Sequence, residues 1–433
     1  LIEMTVVLLI IAVFLAVIWT LQFILGRKTD LKNLKKLESA RAEGLTEPQS
    51  LHPVIDPDLC IGSGGCVTAC PEGDVLGLIK GKSALINPTH CIGHGECFRA
   101  CPVQAITLVF GTEKRGVDIP HVKPNFETNV PGIFIAGELG GMGLIRNAVE
   151  QGRQAVEAIR KLKPSGTPLD LVIVGAGPAG FSASLASLQH KLRYVTIEQE
   201  NLGGRVAHFP RGKIVMTQPA KLPLVGEIKF GEIGKEKLLD FMKEVEKKTG
   251  VQIRYNERME EIQKTNQGFI VKTSRGSYET RAVLLALGRG GTPRKLGVQG
   301  EDLGKVVYRL IDPEQYRRQK VLIVGGGDVA LEAACAVAAE AGATVTLSYR
   351  GEAFLRAKQK NLQRLKEAEA ANRVRTVLNS NVKEVKPEMV ILEAGSQIME
   401  LPNDTVIVCA GGVLPTEFLK KIGVQVEMKF GTT

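Results

Sequence analysis

Leu171-Val-Ile-Val-Gly175-Ala-Gly177-Pro178-Ala-Gly180 is an apolar run that opens into G-x-G-x-x-G, the pattern of a buried strand turning into a helix around a dinucleotide. Gly175 permits the tight turn, Gly177 lets the backbone approach a pyrophosphate, and Gly180 allows close helix packing; Pro178 lies inside the same loop. The next strand, RYVTIE from Arg193, ends on Glu198, an acid placed for ribose hydroxyls. A lone glycine motif is weak, but a strand before it, a helix after it and a placed acid make it specific.

A second loop repeats the pattern. VLIVGGGDVA, from Val321 to Ala330, carries Gly325, Gly327 and Ala330 in the same roles, with Asp328 between them. Its following strand, TVTLSYR, ends at Arg350 rather than on an acid. Arg350 and Arg356 suit a 2'-phosphate and so favour NADPH over NADH, while Glu352 counts against that preference.

These loops, with LGGR (Leu202 to Arg205), LALGRGGTPR (Leu285 to Arg294) and CAGGVLP (Cys409 to Pro415), resemble the two-dinucleotide flavoproteins related to thioredoxin reductase, and more closely ferredoxin-NADP reductases of that type. The resemblance implies FAD at the first loop, with Glu198, Gly204 and Arg205 contributing, and NADPH at the second. True thioredoxin reductases carry a C-x-x-C pair between the two domains; here that stretch is VYRLIDP, Val307 to Pro313, without cysteine.

ETNVPGIFIAGE (Glu127 to Glu138) and GGMGLIRNAVEQG (Gly140 to Gly152) resemble the closing strand and helix of such flavoproteins, in which Gly137 and Glu138 would serve the ribityl chain. That motif normally ends the protein. Its place ahead of the first loop implies a circular permutation, tolerated where termini lie together at the surface. The expected domains are a membrane anchor at 1–26, a basic tether at 27–53, a ferredoxin-like unit at 54–109, an FAD domain from 110–303 and 404–433, and an NAD(P)H domain at 304–403. The fold class is α/β, with two Rossmann-like domains joined to a small α+β iron-sulfur domain. The splice is expected to bring a cluster near the flavin.

Upstream, Cys60-I-G-S-G-G-Cys66-V-T-A-Cys70-Pro71 and Cys91-I-G-H-G-E-Cys97-F-R-A-Cys101-Pro102 share one spacing. They resemble the two-cluster bacterial ferredoxin pattern C-x2-C-x2-C-x3-C-P, in which the last cysteine of each run serves the other cluster. One site then draws on Cys60, Cys66 and Cys101, the other on Cys91, Cys97 and Cys70. Ser63 and His94 stand where the second cysteine is expected, as candidate fourth ligands. His94 is preferred, because a neutral imidazole needs no deprotonation. The clusters are 4Fe-4S with such a ligand or 3Fe-4S without it; zinc is the competing metal, and a metal-free or disulfide-bonded unit the remaining alternative. Cys335 and Cys409 are isolated and read as buried.

From Thr5 to Leu25 the chain is uncharged and apolar, long enough to cross a bilayer as one helix. Arg27, Lys28, Lys32, Lys35, Lys36 and Arg41 follow it and Glu3 precedes it, so the rest is expected on the cytoplasmic side of the inner membrane. Trp19 would sit toward that interface. A cleaved signal would carry its positive charge before the apolar stretch.

The net charge of +10 is spread along the chain without a basic, aromatic-interleaved stripe, which argues against nucleic acid. No nucleophilic triad stands out; His52, His90, His121, His190 and His208 have no defined chemical context. The leading reading is a membrane-anchored NAD(P)H oxidoreductase that passes electrons through FAD and two iron-sulfur clusters to or from a redox protein or membrane-complex partner. Alternatives are a disulfide reductase lacking C-x-x-C and a non-catalytic redox subunit; a homodimer is open.

Overall fold

The computed structural model describes the chain apart from residues 1, 43, 49–50, 114–115, 142, 210–213, 217–218, 229–232, 356 and 432–433. It divides into two compact units, Leu1–Val109 and Phe110–Thr432.

The first unit begins with α1, Ile2–Ala42. Within it, Ile11–Ala42 is the one helix among the described residues long and apolar enough to cross a membrane. Its apolar side chains face outward, Phe14 63% and Trp19 67% exposed, which suits a lipid solvent. The expected tether is therefore helical through Ala42, and its end joins the next sheet: β1 (His52–Ile55) starts before residue 54. After β1 come a one-turn helix α2 (Gly65–Thr68), the hairpin strands β2 (Leu76–Ile79) and β3 (Lys82–Leu85), a second one-turn helix α3 (Glu96–Arg99) and β4 (Ile106–Val109). β1 pairs antiparallel with β4, His52 opposite Val109, and β2 with β3, Leu76 opposite Leu85. Each cysteine run thus lies between strands, and Cys66, Cys91 and Cys97 pack with Val75, Leu76 and Ile106 as the core.

The second unit opens with β5 (Val117–Pro120), β6 (Ile133–Ile135), α4 (Ile145–Ile159), β7 (Leu169–Val174), α5 (Pro178–Gln189) and β8 (Tyr194–Ile197). β7 and β8 run parallel, and the C-terminal half of the long strand Gly276–Leu285 lies parallel to both β7 and β6. The closing strand, ahead of the first loop in sequence, is therefore in the same sheet. The other end of Gly276–Leu285 continues antiparallel into Phe269–Thr273 and Met259–Lys264. A second, parallel sheet has the order Val306–Val307, Thr405–Val408, Lys320–Val324, Thr344–Ser348, Val374–Val377, flanked by a three-stranded meander over Ser380–Pro402. Thr405–Val408 contradicts the expected boundary at 404. Its four buried residues pair with Lys320–Val324 in the second dinucleotide sheet, so the return to the first domain comes after Val408. Val426–Lys429 then pairs antiparallel with β5.

α4 and α5 cross through glycine. A Cβ at Gly152 would overlap the Ala179 carbonyl in the first turn of α5, whereas one at Gly304 meets nothing within 4 Å. In full-length protein in detergent, Gly152→Ala is expected to cost about 1–3 kcal/mol of stability by overpacking and Gly304→Ala under about 0.5 kcal/mol, measured as midpoints of denaturant unfolding by circular dichroism.

Candidate nucleotide and cluster sites

At the first loop the backbone leaves side chains no space except where a ligand would lie. Gly175 has φ +105°, and its Cβ would stand 2.6 Å from the Ala286 carbonyl oxygen; at Gly180 it would overlap the Gly175 carbonyl. Gly177 differs, its nearest neighbour being the Gly203 carbonyl oxygen at 3.9 Å. Pro178 follows as the first residue of α5, whose unpaired amides face that opening, as a helix N-terminus receives a phosphate. Glu198 ends β8 with one carboxylate oxygen accepting from Ala176 N–H at 2.7 Å and the other from Glu200 N–H at 2.9 Å. Burial pushes its pKa up, against the downward pull of these amides. The acid thus braces the loop. Gly204, at φ +52°, packs on Gly177, its built Cβ 3.1 Å from Gly177 Cα.

The closing motif meets this loop. Gly137 N–H donates to Gln151 Oε1 at 2.8 Å, and the exposed Arg205 reaches to 4.0 Å from Glu138. Arg289, unassigned in the sequence, donates to the Asp118 carbonyl at 2.8 Å. Burial lowers its pKa, with Glu138 and Asp118 opposing the shift. Two arginines therefore flank Glu138 where the ends of β6 and Gly276–Leu285 converge.

The second loop has the same form. A Cβ at Gly325 would overlap the Cys409 carbonyl, and Gly327, capping the helix Asp328–Ala338, faces open space. Ala330 fits where the first loop needs Gly180, its Cβ 3.1 Å from a Cβ built at Gly325. Asp328 accepts from Lys358 N–H and Asn361 Nδ2, both at 2.8 Å; it holds the next helix start rather than pointing to a ligand. Arg350 is exposed at the end of Thr344–Ser348, the strand beside the loop. Arg356 lies outside the described residues. No local pattern marks Tyr349, which stacks on Phe354 at 5.4 Å and occupies the space a Gly326 side chain would need. Cys335, expected buried, is half-buried, whereas the Cys409 thiol is pushed up to about 12 by burial although the residue as a whole keeps some exposure. His208, left without a role, bonds Glu200 at 2.6 Å and Arg309 at 3.1 Å. Arg309 belongs to the VYRLIDP stretch.

In the first unit, Cys70, Cys91, Cys97 and His94 line one recess, with Glu72 beside them; His94 Nε2 is 3.9 Å from Glu72. Burial pushes the Cys91 and Cys97 thiols up to about 11 and raises Cys70 as well. Metal binding must offset that cost, because the thiolate is the ligand. The other set is held differently. Ser83 N–H donates to Cys60 Sγ at 3.4 Å, Ser83 Oγ is 3.2 Å from Cys66 Sγ, and Ala105 N–H donates to Cys101 Sγ at 3.3 Å. Lys82 Nζ donates to the Cys60 carbonyl at 2.7 Å. Ser63 is exposed beside this set. Among the described residues no three Cys, His, Asp or Glu side chains converge as around one ion.

Two dinucleotide folds in one unit, the first completed by a flavin-type closing strand, define an oxidoreductase that uses FAD and NAD(P)H. A family model described as pyridine nucleotide-disulphide oxidoreductase matches residues 172–431, and the chain belongs to that family. A second, described as 4Fe-4S dicluster domain, matches residues 52–102. The chain is similar to the ferredoxin–NADP reductase of Ignicoccus hospitalis, 32% identical over 272 residues, covering 60% of this chain and 83% of that protein. It is 27% identical to the bacilliredoxin reductase Bdr of Bacillus subtilis, over 60% of this chain and 82% of that one. Among solved structures, the bacillithiol disulfide reductase Bdr of Staphylococcus aureus superposes with a TM-score of 0.53 at 27% identity, covering 59% of this chain and 80% of that one. β6 and α4 precede the matched residues and still complete the sheet and the helix pair around α5.

Gly177→Val is expected to leave the fold intact, since its Cβ has space, but to fill the path of the pyrophosphate. Protein purified from this variant should lack the flavin absorption of wild type while keeping its circular dichroism.

Proposed function

We propose that this chain is a membrane-anchored electron-transfer flavoenzyme with two iron-sulfur clusters, its soluble part cytoplasmic, exchanging electrons with a redox protein or membrane partner. The observation that carries the reading is the union, in one chain, of two nucleotide loops with open space at Gly177 and Gly327 and two cysteine sets in a dicluster unit. Bound NADPH would supply one hydride, that is two electrons, which FAD would accept and release singly to clusters that carry one each. The protein's own residues hold those groups: Gly177 and the start of α5 the FAD diphosphate, Gly327 and Arg350 the nicotinamide nucleotide, and the six cysteines the iron, with His94 preferred as a fourth ligand.

A second reading, reduction of low-molecular-weight disulfides, draws support from the names of the bacilliredoxin and bacillithiol disulfide reductases. The deciding experiment is anaerobic purification in detergent, with FAD, iron, acid-labile sulfide and zinc measured per chain, followed by NADPH titration. Electron transfer predicts flavin bleaching and then reduced-cluster EPR signals. Rapid disulfide turnover with clusters that NADPH never reduces favours the second reading, and zinc without sulfide removes the relay.

Arg350→Ala combined with Arg356→Ala is expected to lower kcat/KM for NADPH-driven flavin reduction by about tenfold per lost charge-assisted contact, with NADH nearly unchanged. Equal losses would show that neither arginine reads the 2'-phosphate.

His94→Cys is expected to lower the potential of one cluster only, because a thiolate replaces a neutral ligand and favours the oxidised state. EPR-monitored redox titration reads this directly; His94→Ala with both signals and potentials unchanged would exclude His94 as a ligand.

A further inference from the structure

α1 measures the height of the two cysteine sites. Trp19 and Phe23 stack at 5.7 Å, and the Arg27 guanidinium lies 5.0 Å from the Phe23 centroid, the aromatic and cationic side chains that gather at a membrane–water interface. The helix then continues without a break, and one face holds the β2–β3 hairpin. Asp30 accepts from Lys80 N–H at 3.0 Å, Asn33 donates to the Leu78 carbonyl at 2.9 Å, and Lys36 pairs with Asp74 at 2.5 Å. Asp30 and Lys36 stand about 9 Å apart along an axis that rises 1.5 Å per residue. The hairpin turn is thus nearer the apolar end of α1, and its start is farther out.

Each cysteine set is tied to one end of that hairpin. Gly62 packs on the Gly81 carbonyl without room for a Cβ, and Lys82 and Ser83 bond Cys60, so the Cys60, Cys66, Cys101 site belongs to the turn. Gly73 N–H donates to the Cys70 carbonyl at 3.0 Å next to Asp74, and Val75 lines the recess of Cys70, Cys91 and Cys97, so that site belongs to the outer end. Asp30 lies about 7.5 Å beyond Leu25, close to the headgroup layer of about 5–8 Å on each side of the hydrocarbon core. The surface there suits such a layer: Leu59 and Ile61, on either side of Cys60, are 53% and 66% exposed, and Lys28, Lys32 and Lys80 are exposed.

We propose that the face bearing Leu59, Ile61 and Lys80 rests on an anionic lipid surface, making the Cys60, Cys66, Cys101 cluster the membrane-facing end of the relay and the Cys70, Cys91, Cys97 cluster its outer end. This rests on α1 spanning the membrane. A single electron passing inward oxidises the outer cluster and reduces the inner one by the same charge. The added negative charge is stabilised by the Lys82 ammonium and by the Ser83 and Ala105 bonds to sulfur, since hydrogen bonds and charge set cluster potentials; Glu72 opposes reduction of the outer cluster. These contacts raise the potential of the inner cluster, while a neutral His94 ligand and the backbone amides beside Cys70, Cys91 and Cys97 act in the same direction on the outer one.

The test uses full-length protein in phosphatidylcholine–phosphatidylglycerol nanodiscs containing lipid with a gadolinium-chelate headgroup, read by EPR power saturation of the two reduced clusters. Ser83→Ala assigns the inner cluster, as the signal whose potential falls. Expected is a severalfold rise in half-saturation power for that signal and a smaller rise for the other. A larger effect on the other signal, or equal effects, overturns the proposed order. Failure of the protein to float with vesicles is a different result: it removes the membrane reading itself, and this inference with it.

Discussion

The nucleotide-binding unit depends on backbone meeting backbone around the first turn of α5. Gly180 abuts the Gly175 carbonyl, Gly175 abuts the Ala286 carbonyl, and Gly152 of α4 abuts the Ala179 carbonyl. One atom of side chain at any of these points pushes apart segments that come from three separate parts of the chain. The consequence is a helix start whose position is fixed by peptide groups alone, with its amides presented at the one glycine, Gly177, that has space beside it. Glu198 stiffens the arrangement by accepting from Ala176 within the loop. A carboxylate that braces the turn from which a diphosphate would hang links the adenosine end of the ligand to its phosphate end.

The second loop achieves the same form with less constraint. Ala330 stands in the place of the third glycine, its Cβ 3.1 Å from a Cβ built at Gly325, and crowding also falls on Gly326, whose space is taken by Tyr349. Tyr349 precedes Arg350, so the strand end that carries the arginine is held by a ring packed on the loop and stacked on Phe354. Asp328, part of the motif by sequence, instead fixes the start of the helix Gln359–Ala370 through Lys358 and Asn361. A motif position can therefore be structural support for a site without facing it.

Those contrasts explain what was legible in the sequence. The loops, the cysteine runs and the displaced closing strand could be read because each demands a residue type at short spacing: no side chain, a thiolate, or an apolar strand ending in Gly-Glu. Arg289 on the Asp118 carbonyl, His208 between Glu200 and Arg309, and Asp30, Asn33 and Lys36 on the hairpin could not, because their partners are distant in sequence and no local pattern announces them. The boundary at Thr405–Val408 failed for a related reason. A buried four-residue strand reads the same whichever parallel sheet receives it, and only its pairing with Lys320–Val324 decides.

The two cysteine runs show how a repeated sequence gives unlike sites. Their spacing is the same, and both one-turn helices start after a left-handed glycine, Gly64 and Gly95. What differs is contributed from outside the runs. The β2–β3 turn supplies Lys82 and Ser83 to Cys60 and Cys66, whereas the recess of Cys70, Cys91 and Cys97 is closed by Leu51, His94 and Glu72. The hairpin is in turn oriented by α1, through side chains that lie just beyond its apolar run. The long apolar helix is therefore also the element that holds the hairpin carrying Lys82 and Ser83 against one cysteine set, so the two runs are made unlike by a contact surface outside both.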